Sequence, residues 1–154
     1  METAILPGKF FDEFAVGEEF ITPSRTITEA DIVNFAALSG DYHPLHTDAE
    51  YASKTIHQGR IAHGALISAI STGLMGRLGL FDSTAIANMG QEWRFTRAVK
   101  IGDTINVKIK ILEKRETKKK ETGLIVREIS IFNQRGEQVG EGKATMLVKR
   151  KVGG

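Results

Sequence analysis

The sequence predicts an α+β fold, a curved antiparallel sheet wrapped around one central, buried helix. Two observations predict it. The run from His63 to Gly76 is helical in length and carries no Asp, Glu, Lys or Arg. With no charged face to turn toward water, it should be buried almost all round. The second half of the chain alternates apolar and polar residues over several long stretches, the pattern of half-buried strands. One uncharged helix facing several antiparallel strands packs most economically as the core of their sheet.

The elements follow in chain order. Glu18 to Ile27 reads as a first strand, with Pro23 marking an edge or bulge. Thr28-Glu29-Ala30-Asp31 has the form of a capped helix start, Ile32, Phe35 and Ala36 follow at helical spacing, and Gly40 is the stop. Thr47-Asp48-Ala49-Glu50 is a second start of the same form. The segment Asp41 to His46 is therefore held between two helix boundaries, and Pro44 stiffens it. Gly64, Gly73 and Gly76 lower the helix propensity of the uncharged run, which predicts close approach of neighbouring backbone. Ala85 to Arg97 reads as a strand. Ile105, Val107, Ile109 and Ile111 share one face of another, and Leu124 to Phe132 forms a third. Asn133-Gln134-Arg135-Gly136 is a hairpin turn. Val139 to Lys149 follows, where Gly140, Gly142 and Ala144 would let the strand sit close to a helix.

The 154 residues suit a single domain spanning 1–154 and a core that needs no staples. The absence of Cys removes thiolate catalysis, disulfides and cysteine-based zinc sites. A net charge of +2 is too balanced to favour nucleic acid as a partner. Lys114 to Lys120 is a basic stretch interrupted by Glu113, Glu116 and Glu121, and reads as a solvated turn. Met1 to Pro7 lacks the pattern of an export signal, and the Ile61–Gly76 stretch is too short to span a membrane. A cytoplasmic protein without membrane contact is the expectation.

The chemistry concentrates in Asp41-Tyr42-His43-Pro44-Leu45-His46. An acid and a histidine five residues apart on a stiff segment can face one small volume. Hydration of a double bond conjugated to a carbonyl needs a group that takes a proton from water, and a proton delivered to the α-carbon. Asp41 and His46 sharing one water can divide that work; the alternative is a turn-capping Asp beside surface histidines. His43 and His46 could ligate a metal, with Asp48, His57 and His63 nearby. Pro44 between them opposes a helical ligand pair, so no metal and no cofactor is expected. The helix start at His63-Gly64 offers unpaired N–H groups for an oxygen that gains negative charge. Thr72, about two turns further on, could point into a polar pocket or bond a backbone carbonyl one turn back.

Gly40-Asp41-Tyr42-His43-Pro44-Leu45-His46-Thr47-Asp48, followed by His63-Gly64 and the charge-free helix, resembles the MaoC-like dehydratases. These include the (R)-specific enoyl-CoA hydratases, whose signature reads roughly D-x-N-P-hydrophobic-H-x-D. The resemblance runs from about residue 15 to 148, and Arg94 to Asp103 looks like the family's later strand and turn. It implies a hot-dog fold and a homodimer or dimer of dimers. It also implies an acyl-CoA or acyl-carrier-protein thioester as substrate, Asp41 and His46 as the catalytic pair, Gly64 N–H as the thioester-oxygen donor and Thr72 beside the site. His43 replaces the family's usual Asn. Two other readings compete with an (R)-specific hydratase or dehydratase. A hot-dog thioesterase would often carry an acid on or near the central helix, and none is present. A non-catalytic acyl-CoA-binding module would not need both Asp41 and His46.

Overall fold

The structure is a computed structural model that describes residues 8–151. The segment Met1 to Pro7, expected to carry no export signal, lies outside the described residues.

A 3-10 turn, Phe11–Glu13, leads into strands β1 (Glu19–Ile21) and β2 (Arg25–Thr26). The single strand expected from Glu18 to Ile27 is thus divided. Pro23 has no N–H to give the ladder. Both pieces still pair with the same neighbour, and Thr22 bridges them by bonding Val107 through its N–H and its hydroxyl oxygen.

Helix α1 (Glu29–Ser39) starts as its sequence predicts. Thr28 and Asp31 cap each other reciprocally, and Gly40 closes the helix at φ 77°. The next two helices correct the sequence reading. Pro44–Thr47 is itself a helical turn, α2, with Pro44 at its first position. Asp48, not Thr47, caps α3 (Ala49–Ser53) by accepting the Tyr51 N–H.

Helix α4 (Gly64–Gly76) lies against the sheet formed by β1, β2, β3 (Ala85–Phe95), β4 (Thr104–Glu116), β5 (Thr122–Phe132) and β6 (Gln138–Lys149). The order is β1-β4-β5-β6-β3, β2 also pairs with β4, and every pairing is antiparallel. Ile105, Val107 and Ile109 of β4 and Ile129 and Ile131 of β5 are fully buried, as their alternation requires. They pack with Leu66, Ile67, Ile70, Leu74 and Met75 of α4. Each such side chain contributes roughly 1.5–3 kcal/mol of burial.

Two expectations about α4 fail within this chain. Only one side of the helix is buried; Ala65, Ala69, Thr72, Gly73 and Gly76 are exposed. A methyl group built on Gly73 or Gly76 would meet nothing within 4 Å, so neither glycine admits a neighbour here. The sequence lacks charge on this face, but the sheet covers only the opposite one. Of the small residues of β6, Ala144 joins the core cluster with α4, but the glycines serve a different neighbour. Gly142 makes room for the backbone and Trp93 ring of β3, which lie 2.6 and 2.9 Å from where its Cβ would stand.

Candidate active site

Asp41, His46 and His63 converge at the N-terminal end of α4. A carboxylate oxygen of Asp41 and one ring nitrogen of each histidine lie within 4.8 Å of one another. The backbone around them explains how three residues from separate elements meet. Asp41 Oδ1 accepts the His43 N–H at 3.1 Å, which folds the chain back behind the α1 cap. His43 caps α2, its Nδ1 accepting the Leu45 N–H at 3.2 Å. The Ile61 N–H donates to the Leu45 carbonyl, and the Ala62 N–H to the Val99 carbonyl. Arg60 adds a tether, donating to the His46 carbonyl and pairing with Glu29 of α1 at 2.7 Å.

These bonds fix the protons of the two imidazoles. His46 Nδ1 stands 2.7 Å from the Ile61 carbonyl oxygen. A carbonyl only accepts, so Nδ1 donates, and neutral His46 presents a bare Nε2. Burial first, and then the nearby His63 ring, holds the His46 pKa below its ordinary 6.5, while the Ile61 carbonyl and Asp41 push the other way. His46 is therefore neutral at pH 7. His63 donates Nε2–H to the Asp41 carbonyl at 3.0 Å, is 2% exposed, and has no partner for Nδ1. Its ring stacks on His46 with centroids 3.8 Å apart and planes at 25°, and Phe35 meets it edge-on.

The sequence placed His63 at a helix boundary and near a possible metal-ligating pair; its role as the platform under His46 was not read from it. The signal available was a polar residue ahead of an uncharged apolar run, which does not say which way a ring points.

Asp41, His46 and His63 supply the donor types of a divalent metal site. Imidazole lone pairs lie in the ring planes, and two nearly parallel stacked rings aim them side by side. That arrangement does not converge on one point at the ~2.0–2.1 Å a zinc–nitrogen bond needs. The same cluster suits a water, which spans gaps of this size with two hydrogen bonds.

A cavity of about 330 Å3 opens beside the cluster, lined by His46, His57, Ile61, Gly64, Ile67 and Phe95 among others. Gly64 is the first residue of α4, and no side chain caps that end. Its N–H and those of Ala65 and Leu66 precede the first bond of the helix, which the Ile67 N–H makes to the His63 carbonyl, and have no intrahelical acceptor. A side chain at Gly64 would overlap the Phe95 ring, which lies 2.7 Å from the Cβ position, so close packing is one reason for this glycine. Thr72 is not in this cavity. It lies eight residues on, about 12 Å along the helix axis. Its hydroxyl donates to the Ser68 carbonyl at 3.0 Å, and it lines a second cavity.

A helix packed by one side against a curved antiparallel sheet is the arrangement of the hot-dog fold, and here a histidine–aspartate cluster sits at the N-terminus of that helix. Residues 12–130 match the model of the MaoC like domain, and the chain belongs to that family. It is 30% identical over 144 residues to an (R)-specific enoyl-CoA hydratase of Rhodospirillum rubrum, covering 90% of this chain and 91% of that one. It is 44% identical over 102 residues to Protein MaoC of Klebsiella aerogenes, covering 66% of this chain but only 30% of that longer protein. Among solved structures, a MaoC-like dehydratase from Rhodospirillum rubrum superposes with a TM-score of 0.86 at 28% identity, covering 94% and 99% of the two chains. A Mycobacterium tuberculosis protein with a double hot-dog fold shares the fold at a TM-score of 0.82 and 20% identity, covering 94% and 45%.

Proposed function

We propose that this protein hydrates trans-2-enoyl thioesters to (R)-3-hydroxyacyl thioesters, or runs the reverse dehydration. The observation that carries the reading is the bare Nε2 of a neutral His46 beside the Asp41 carboxylate. A water held between them loses a proton to the pair as its oxygen bonds to C3. The electron pair of the C2=C3 bond moves onto the thioester, whose oxygen takes the developing charge at the Gly64 N–H. The pair then returns a proton to C2. Overall, hydroxyl is added at C3 and hydrogen at C2, with no change in oxidation state. A donor such as Gly64 N–H contributes about 3–4 kcal/mol in comparable oxyanion sites. The likeness to proteins named (R)-specific enoyl-CoA hydratase and 3-hydroxybutyryl-CoA dehydratase supports this hydro-lyase chemistry.

The test is loss of enoyl absorbance with crotonyl-CoA. Asp41→Asn and His46→Ala should each lower kcat by on the order of 10²–10⁴-fold with unchanged circular dichroism. Wild-type turnover in either variant sinks the mechanism, and release of free thiol by the wild type would make the protein a thioesterase instead.

A second copy of the chain is the partner we propose for the exposed face of α4 and for β3. That uncharged helix face and the unpaired edge of an eleven-residue strand support it.

A further inference from the structure

We propose that the cavity under the C-terminal half of α4 is an anion subsite, where Arg127 receives a carboxylate at the far end of the acyl group. The preferred substrates are then α,β-unsaturated dicarboxylic acyl thioesters. The inference rests on the hydratase reading and adds the substrate's tail to it.

Arg127 sits in the middle of β5 on the inward face, in step with Ile125, Ile129 and Ile131, all fully buried. Its own exposure is 5%. Among the described residues it forms no ion pair and its side chain makes no hydrogen bond; Nε is buried without a partner. Its guanidinium carbon lies 4.9 Å from the Phe81 ring, a contact that favours a cation but leaves the N–H groups unspent. Burial pushes its pKa down to about 10, so the group still carries its charge at neutral pH.

An uncompensated charge in this position is costly, and an apolar side chain of similar volume would fill it at lower cost. A charge that arrives with a ligand resolves the imbalance. The guanidinium opens into a cavity of about 160 Å3 whose wall also holds Thr72, Asn88 and Gln91. That volume matches about five waters, room for the end of an acyl chain and its carboxylate. Asp82 lines the same cavity but is exposed and makes no ion pair with Arg127.

The placement along α4 suits one extended ligand. Gly64 at the start of the helix faces the cavity with His46, and Thr72, Met75 and Gly76 face the cavity with Arg127. The helix rise puts Gly64 and Thr72 about 12 Å apart. A thioester oxygen at the first and a terminal carboxylate beyond the second would use both ends. Arginine and carboxylate then pair through two parallel N–H···O bonds, a geometry a methyl terminus cannot answer.

The experiment compares trans-2-enoyl-CoA thioesters of four to fourteen carbons, ending in methyl or in carboxylate, on wild type and Arg127→Met. Wild type should favour the carboxylate series by on the order of 100-fold in kcat/KM at one or more lengths. Arg127→Met should lose that advantage, keep turnover of the methyl series, and unfold at a higher temperature. Equal use of both series by the wild type overturns the proposal, as does a preference that survives in Arg127→Met. Calorimetric binding of the saturated dodecanedioyl-CoA and dodecanoyl-CoA, whose chains are long enough to span the two cavities, needs neither variant nor turnover. Tighter dodecanedioyl-CoA binding to the wild type is expected, and equal binding overturns the subsite. Absence of turnover with every enoyl thioester would sink the hydratase reading, while the calorimetric arm still decides this one.

Discussion

His43 stands where the MaoC-like signature carries Asn, and its contact gives the exchange a local explanation. Its Nδ1 accepts the Leu45 N–H at the start of α2, the bond an Asn side-chain oxygen makes at a helix N-cap. His43→Asn should leave stability within about 0.5 kcal/mol, whereas His43→Ala should lose about 1 kcal/mol. Urea unfolding distinguishes them, and equal losses in the two variants would remove the capping account. His46 carries the second prediction. Its pKa in the folded chain is below 6.5, chiefly because burial penalises the imidazolium. Between the folded value and about 6.5 the unfolded chain binds a proton that the folded chain does not. The stability from this group is full above about 6.5 and is lost as pH falls through that window. The base form persists there too, so the acid limb of kcat/KM should fall below pH 6.5. A limb at or above 6.5 that vanishes in the Asp41→Asn background would contradict the assignment of His46 as base.

At the level of elements, legibility followed the kind of pattern involved. The strands were readable because inward residues recur every second position; Ile105 to Ile111 are buried as that rule states. The caps of α1 were readable because Thr28, Asp31 and Gly40 satisfy local geometry. The same every-second-residue rule puts Arg127 inward beside Ile125 and Ile129, a signal present in the sequence that the irregular polar run Arg127-Glu128 obscured. The glycines of β6 were misplaced because a small residue says that something approaches, not what approaches. Gly142 faces Trp93 across the β6–β3 ladder. Gly142→Val would drive its side chain into the Glu92 carbonyl and the indole. The expected cost is about 1–3 kcal/mol, the usual range for overpacking, read from chemical denaturation. Gly136→Asn, in the β5–β6 turn at φ 73° with open space around it, should cost far less. Comparable losses would show that the two glycines serve the same conformational need.

For the whole molecule, the open side of α4 is the largest departure from the sequence expectation, and its composition points to a remedy. An absence of charge predicts exclusion of water, but sequence does not say whether the same chain or another copy excludes it. Here the sheet takes one side of the helix, leaving Ala65, Ala69, Thr72, Gly73 and Gly76 in the open. Beside them, β3 pairs only with β6 among the described residues, and Ile86, Met89 and Phe95 are exposed along it. An unpaired strand edge of this length with apolar residues is a surface that soluble proteins normally cover. A two-fold pairing of β3 with β3 would cover the edge and bring the two bare helix faces toward each other, with small residues allowing close approach. The wild type should therefore sediment at twice the 16.9 kDa chain mass at micromolar concentration. Ala69→Glu places a charge in the centre of the face without touching Asp41, His46 or the buried side of α4. It should sediment as a single chain with its circular dichroism retained. A monomeric wild type, or an Ala69→Glu variant that remains dimeric, would mean that a second copy does not cover this face.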